Sequence, residues 1–278
     1  MLGHQLLRTL TGRHDVIVTL RRAVPEYREF GLFSSSNAVG GLDARDWPSL
    51  ADAIRSHAPQ TVVNCVGIVK QRHEAKTAIP SLEVNALLPH RLAELCSDLG
   101  AQLIHMSTDC VFSGRRGAYG ETDEPDPLDL YGRSKLLGEV TYAPGLTLRT
   151  SIIGLELSRK TGLVEWFLGQ RGTIKGFRRA IYTGLTTIEM SRLIERLATE
   201  YRALHGVWHV ASQPINKYDL LVAFARKLGR TDVDIVPDDE FVCDRSLCAD
   251  RFDAATGYQP PTWDAMLSEL AAETRQTS

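Results

Sequence analysis

The run Ala101-Gln-Leu-Ile-His-Met106 constrains the fold more than any other segment of the chain. It is short and apolar, and it is entered through Gly100, a residue that ends helices by taking the left-handed conformation cheaply. A continuous apolar run of this length, bounded by turn formers, reads as a buried strand. Such strands belong to parallel sheets flanked by helices, and ligands bind outside their carboxyl ends. This strand runs out through Ser107-Thr108-Asp109-Cys110-Val111-Phe112 into a loop rich in Gly, Arg and acids, from Ser113 to Pro127. Either those hydroxyls cap the loop and Asp109 makes a turn, or they line a site.

Downstream stands Tyr131-Gly-Arg-Ser-Lys135. Residues i and i+4 share a helix face, so the phenol and the ammonium reach one small volume. A free tyrosine, with a pKa of about 10, holds its proton too tightly to be an efficient acid at neutral pH. A neighbouring lysine cation favours the phenolate and lowers that value. The pair can then protonate a carbonyl oxygen that becomes an alkoxide when hydride arrives. Alone, the spacing is also that of many solvated helix faces; the strand upstream tips the reading toward a site.

Ser107-Thr108-Asp109-x-Val111-Phe112, followed by Pro125, Pro127, Leu128 and Tyr131-Gly-Arg-Ser-Lys135-Leu-Leu-Gly-Glu139, resembles the extended short-chain dehydrogenases. Within them it is most similar to the dTDP-4-dehydrorhamnose reductase branch, strongly from Leu103 to Thr150 and thinly after about Ile174. The resemblance implies a doubly wound, Rossmann-like parallel α/β sheet with a smaller carboxyl-terminal substrate lobe. It gives residues 1–153, with parts of 184–235, to an NADP-binding domain, and 154–183 and 236–278 to the lobe. By that resemblance Thr108 polarises a ketone, Tyr131 donates the proton, and Lys135 binds the nicotinamide ribose while lowering the tyrosine pKa. Asp109 orients the loop or a substrate hydroxyl, and Val111 and Phe112 lie toward the substrate. Sugar-nucleotide 4,6-dehydratases of the superfamily carry Thr-Asp-Glu here; Cys110 replaces that Glu, which favours simple ketone reduction.

The amino terminus departs from the pattern. Leu2 to Thr11 reads as a helix ending at Gly12, and His14 to Leu20 as a strand. A dinucleotide fold begins with a strand and a Gly-rich turn at a helix amino terminus. Gly3 matches the last glycine of that turn; the strand and two earlier glycines do not occur in the sequence. The chain thus reads as beginning late in the motif, as shortened, or as weakened in its cofactor grip. Arg21 and Arg22 follow the first strand, where an acidic residue suits the ribose hydroxyl of NADH and arginine suits a 2′-phosphate. They favour NADPH over NADH, or else form a solvated charge pair. By resemblance Asp43 and Ala44 contact the adenine, Cys65, Val66 and Gly67 line the cofactor path, and Thr150 touches the nicotinamide side. Asn85 is read as scaffold.

The later segments read as short elements: helices over Gly162–Gln170, Ile188–Tyr201 and Lys217–Leu228, a turn and short strand over Gly172–Gly176, and a loop-rich stretch from Pro237 to Asp253. Trp166, Arg178, Arg179 and Arg245 are candidates for stacking on a base or pairing with a diphosphate, with core tryptophan and solvated arginines as the bland alternatives.

The rest is exclusion. With 278 residues, a net charge of −2 and a pI near 6.5, the chain has no general attraction for nucleic acid or anionic membrane. No apolar run approaches the ~20 residues of a membrane span. Five scattered cysteines form no C-x-x-C pair, which suggests neither zinc nor a disulfide framework and points to a reducing cytoplasm. His73, His90 and His105 lack metal-ligand spacing. The expected activity is NADPH-dependent reduction of the 4-keto group of a nucleotide-linked 6-deoxy sugar, in an enzyme family where homodimers are usual. Two alternatives stay open: a non-catalytic regulatory subunit like the methionine adenosyltransferase beta subunit, and a sugar-nucleotide epimerase.

Overall fold

The computed structural model describes residues 1–69, 77–158 and 160–277; His73 lies outside them. The first half runs α1 (Leu2–Leu10), β1 (Val18–Thr19), β2 (Ala38–Val39), α2 (Trp47–His57), β3 (Thr61–Asn64), α3 (Ala78–Ser81), a π-wound turn Leu82–Leu87 and α4 (Leu88–Leu99). Then come β4 (Gln102–Met106), α5 (Leu130–Leu137), β5 (Gly145–Arg149) and β6 (Ile152–Ile153). The second half contains α6 (Leu163–Leu168), β7 (Gly172–Phe177), β8 (Ala180–Tyr182), β9 (Leu185–Thr186), α7 (Thr187–Glu200) and β10 (Gly206–His209). It ends with β11 (Ile215–Asn216), α8 (Lys217–Leu228), β12 (Val233–Asp238), β13 (Cys243–Asp244), α9 (Asp250–Thr256) and α10 (Trp263–Thr277).

The central sheet has the order β10-β5-β4-β3, every neighbouring pair parallel. Its strands are apolar on both faces because both are covered. Ile104, Leu146 and Leu148 join α1, α7, α8 and α10 in the main core, while Leu103, the neighbour of Ile104, points the other way into a cluster with α2 and α4. This period of two with both faces buried is what a continuous apolar run encodes. The α/β doubly wound reading holds. Among the described residues no helix is long and apolar enough to cross a membrane.

Several strands are shorter than the sequence predicts. Of His14–Leu20 only Val18–Thr19 pairs, with β2, because the N–H groups of Arg13 and His14 turn back to the Leu10 carbonyl. The strand from Thr61 stops at Asn64, whose side-chain oxygen accepts the Val66 N–H at 3.1 Å and bends the chain out of the ladder. The strand from Leu146 breaks at Thr150, whose carbonyl accepts the Asp109 N–H, and β6 then pairs with β9 instead. Conversely, Gly172–Phe177 is a full strand parallel to β12, and the loop-rich stretch after Pro237 contains the end of β12 and β13.

Candidate active site

The site is assembled where β4 ends. Thr108 caps the single 3₁₀ turn Asp109–Val111: its hydroxyl accepts the Cys110 N–H at 3.1 Å and donates to Asp109 Oδ1 at 3.3 Å. The loop returns to α5, whose first turn is capped by Asp129, accepting the Gly132 N–H at 2.9 Å. Gly132 allows the approach that follows. A Cβ there would stand 2.3 Å from the Cys110 carbonyl oxygen and 2.8 Å from Pro127 Cβ, so only glycine lets α5 press against the turn. This contact brings Tyr131 near Thr108, close enough for the threonine hydroxyl to act on the phenol.

One helical turn on, Lys135 is buried. Its ammonium donates to the Met106 carbonyl at 2.6 Å and lies 3.4 Å from His105 Nε2; His105 Nδ1 in turn meets the Asn64 amide at 3.1 Å. Burial pulls Lys135 down to about 8, opposed by the Glu139 carboxylate. Tyr131 moves the other way: burial raises its pKa, the field of Cys110 adds to this, and the Thr108 hydrogen bond opposes it. The sequence expectation that Lys135 lowers the phenol pKa is therefore corrected. The ammonium faces Met106 and His105, and desolvation dominates at the phenol. Asn85 is scaffold as read: its amide exchanges hydrogen bonds with the Ile68 N–H and carbonyl at 2.9 and 3.0 Å and donates to Ser134 on α5 at 3.1 Å.

Beside Thr108 the Asp109 carboxyl is raised by burial, with Arg245 and Lys217 opposing, and burial pushes the Cys110 thiol up to about 12. Arg245 donates from Nε to the Phe112 carbonyl at 2.9 Å. Lys217, which the sequence reading did not single out, lies over the Tyr182 ring at 4.0 Å and its charge reaches Asp109. The Asp129 cap could have been read from an aspartate placed just before the helix.

Other predicted residues fall differently. Val111 and Phe112 are fully buried in a cluster with Tyr119 and Leu247, so their side chains are core and not substrate contacts. Arg178 forms an ion pair with Asp239, and Arg179 follows it in the turn between β7 and β8. Among the described residues no hydrogen bond or ion pair joins either one, or the half-exposed Trp166 on α6, to Thr108. Thr150 is buried and holds Asp109 through its carbonyl.

Toward the amino terminus, a Cβ on Gly3 of α1 would lie 3.8 Å from Cys65 Cβ, which sets the start of α1 against the end of β3. Cys65 and Val66 are exposed at that edge, and Gly67 abuts the Asn85 amide. Arg21 meets Asp43 at 3.3 Å, and Arg45 holds the Asp43 carboxyl well below its usual range; Ala44 packs partly into the α2–α4 cluster. Arg22 is exposed, 3.9 Å from Glu26. Among the described residues no group of His, Cys, Asp and Glu could hold a metal ion.

A parallel α/β sheet with threonine, tyrosine and lysine gathered at its carboxyl edge defines the extended short-chain dehydrogenase class. The chain belongs to the RmlD substrate binding domain family, whose model matches residues 1–153. It is 35% identical over 232 residues to the probable low-salt glycan biosynthesis reductase Agl14 of Haloferax volcanii, covering 77% of this chain and 72% of that one. It is 28% identical over 211 residues to methionine adenosyltransferase 2 subunit beta of Danio rerio, covering 69% of this chain and 63% of that one. The chain spans between 32% and 63% of the length of the first curated relatives it matches. The crystal structure of dTDP-4-dehydrorhamnose reductase from Bacillus anthracis, in complex with NADP, superposes with a TM-score of 0.74 at 18% identity, covering 93% of this chain and 99% of that one.

Proposed function

We propose that this chain reduces the 4-keto group of a nucleotide-linked 6-deoxy sugar with NADPH. The observation that carries the reading is the convergence of Thr108, at the carboxyl edge of β4, with the α5 turn bearing Tyr131, which Gly132 lets press on the Cys110 carbonyl, and with the Lys135 ammonium on the Met106 carbonyl. NADPH, when bound, supplies hydride to the ketone carbon. Thr108 then hydrogen-bonds the ketone oxygen and Tyr131 gives it a proton, so one hydride and one proton yield the alcohol. Burial holds the phenol protonated, more tightly than a free tyrosine, so the donor role requires its pKa to fall once cofactor and substrate surround it. In this reading Lys135 holds a ribose hydroxyl and relays the proton from solvent.

The residues present fit the cofactor at its adenosine end. Arg21 and Asp43 meet at the strand edge, and exposed Cys65 and Val66 lie beside the start of α1. Arg21 and Arg22 suit a 2′-phosphate, in line with the NADP of the Bacillus anthracis protein. Segments 154–183 and 236–278 serve as the substrate lobe in this reading, and a homodimer in the cytoplasm belongs to it. The experiment is to mix the chain with NADPH and dTDP-4-dehydrorhamnose. Loss of reduced-nicotinamide absorbance with formation of the alcohol is expected; no consumption of NADPH overturns the reading. A second reading, a regulatory subunit, is favoured by the similarity to the zebrafish beta subunit and calls for nucleotide binding without turnover.

A further inference from the structure

We propose that His105 is a positioning residue for Lys135: fixed in one tautomer by Asn64, it turns a ring N–H toward the lysine nitrogen and favours release of the lysine proton toward Tyr131. Adjacent strands bring the two ring partners together, since Asn64 of β3 pairs with His105 of β4 in the parallel register. Both side chains are buried. The Asn64 amide stands 3.1 Å from His105 Nδ1, and His105 Nε2 stands 3.4 Å from Lys135 Nζ. Lys135 also donates to the carbonyl of Met106, the next residue of β4, at 2.6 Å. Amide, imidazole and amine thus form one buried chain that ends a helical turn from Tyr131.

The hydrogen bonds fix the tautomer. Asn64 Oδ1 accepts the Val66 N–H at 3.1 Å, so the other side of the amide, its NH2, faces His105. Turning the amide over would set that NH2 against the Val66 N–H, two donors together. Nδ1 must therefore accept, and in a neutral imidazole the proton then sits on Nε2. Burial holds the ring neutral, and the field of Lys135 adds to this. The Nε2–H consequently faces the lysine nitrogen. An ammonium has three donors and no acceptor, so this N–H opposes its charge. A neutral amine accepts the N–H through its lone pair and still donates to the Met106 carbonyl. The other titratable groups acting on the pair are Glu139, after α5, which favours the ammonium, and His90, on α4, which acts on His105.

The consequence for turnover rests on the reductase reading above. In each cycle one proton passes from the phenol to the ketone oxygen. A second passes from the Lys135 ammonium through the ribose hydroxyl to the phenolate, and a third returns from solvent to the lysine. An ammonium that holds its proton less tightly is the better donor near neutral pH.

Nuclear magnetic resonance of the full chain, with isotope-labelled histidine and lysine and no substrate, tests the pair independently of turnover. In wild type the His105 ring should carry its proton on Nε2 and none on Nδ1 at neutral pH. His105→Met should lower the acid constant of Lys135 by ~10-fold or more, the lysine signal being identified by its loss in Lys135→Met. His105→Gln, whose side-chain amide sets an N–H where the Nε2–H stood, should restore that constant to within ~3-fold of wild type. A proton on Nδ1 overturns the assignment in wild type alone, whether or not a variant folds. An acid constant unchanged in His105→Met, or lowered equally by methionine and glutamine, overturns the role of the N–H. The expected tautomer and titration in a chain that consumes no NADPH with dTDP-4-dehydrorhamnose keep the relation of His105 to Lys135 and remove the reductase reading.

Discussion

The guanidinium of Arg149 grips the carboxylate of Glu139 through two hydrogen bonds, 2.8 and 2.7 Å long, with both side chains almost wholly buried. Ser107 donates to the same carboxylate at 2.7 Å. The pair therefore ties the end of β5 and the segment after α5 to the residue preceding Thr108. Removing one partner leaves a buried charge without compensation, whereas removing both leaves an apolar gap that repacks more cheaply. Arg149→Met should lower unfolding stability by ~3–5 kcal/mol, and Glu139→Leu combined with Arg149→Met should recover part of the loss. Denaturant midpoints of the two variants measure this; equal losses would show that the charges do not act as a pair.

Tyr131→Phe removes the proposed proton donor and leaves the rest of the ring in place. Turnover should fall by ~100-fold or more, since proton transfer by a positioned side chain typically contributes that much. NADPH affinity should stay within a few-fold, because the phenol is one of several groups around the nicotinamide in this reading. Single-turnover rates and nucleotide fluorescence separate the two. A variant retaining a tenth of the rate would remove the phenol from the acid role.

How much of this was legible in the sequence differs by type of interaction. The strand Gln102–Met106 and the helix bearing Tyr131 and Lys135 could be read because apolar continuity and i, i+4 spacing are local signals. The meeting of Tyr131 with Thr108 was legible only through family resemblance, since it depends on α5 closing on the Cys110 carbonyl across a long loop. Val111 and Phe112 were misassigned for the same reason. Their apolar side chains suit a substrate wall or a core, and only the packing of Tyr119 and Leu247 decides. Lys217 was invisible because its partner Tyr182 is 35 positions away by number and meets it only through the pairing of β8 with β11.

Lys135 links the site to pH. Its ammonium is pulled from an ordinary value of 10.5 to about 8 by burial, so the folded chain releases that proton before the unfolded chain does. Between pH about 8 and 10.5 the unfolded state binds more protons, and stability rises with pH through that window. Below about 8 both states carry the charge and the burial cost is fully present. Lys135→Met should thus flatten the rise relative to wild type, while abolishing most turnover. Unfolding midpoints of both proteins at pH 7 and pH 10 test the sign; parallel slopes would mean that Lys135 titrates normally.

Gly132→Ala tests whether close approach of α5 is what makes the site. In an exposed helix the change would stabilise by ~0.5–1 kcal/mol, because alanine has less backbone freedom to lose. Here the new methyl would stand 2.3 Å from the Cys110 carbonyl oxygen, a backbone atom fixed by the turn that Thr108 caps. Overpacking of this kind costs ~1–3 kcal/mol, which exceeds the propensity gain, so the net sign is destabilising. The relief available is for α5 to back away, and this carries Tyr131 from Thr108. The variant should lose ~1–2 kcal/mol of stability and ~10-fold or more in turnover, since small misplacements of reacting groups are expensive. Chemical denaturation and steady-state rates measure both. A variant with raised stability and intact rate would mean that the helix is not held against the turn, and with it the geometry of the proton donor would go.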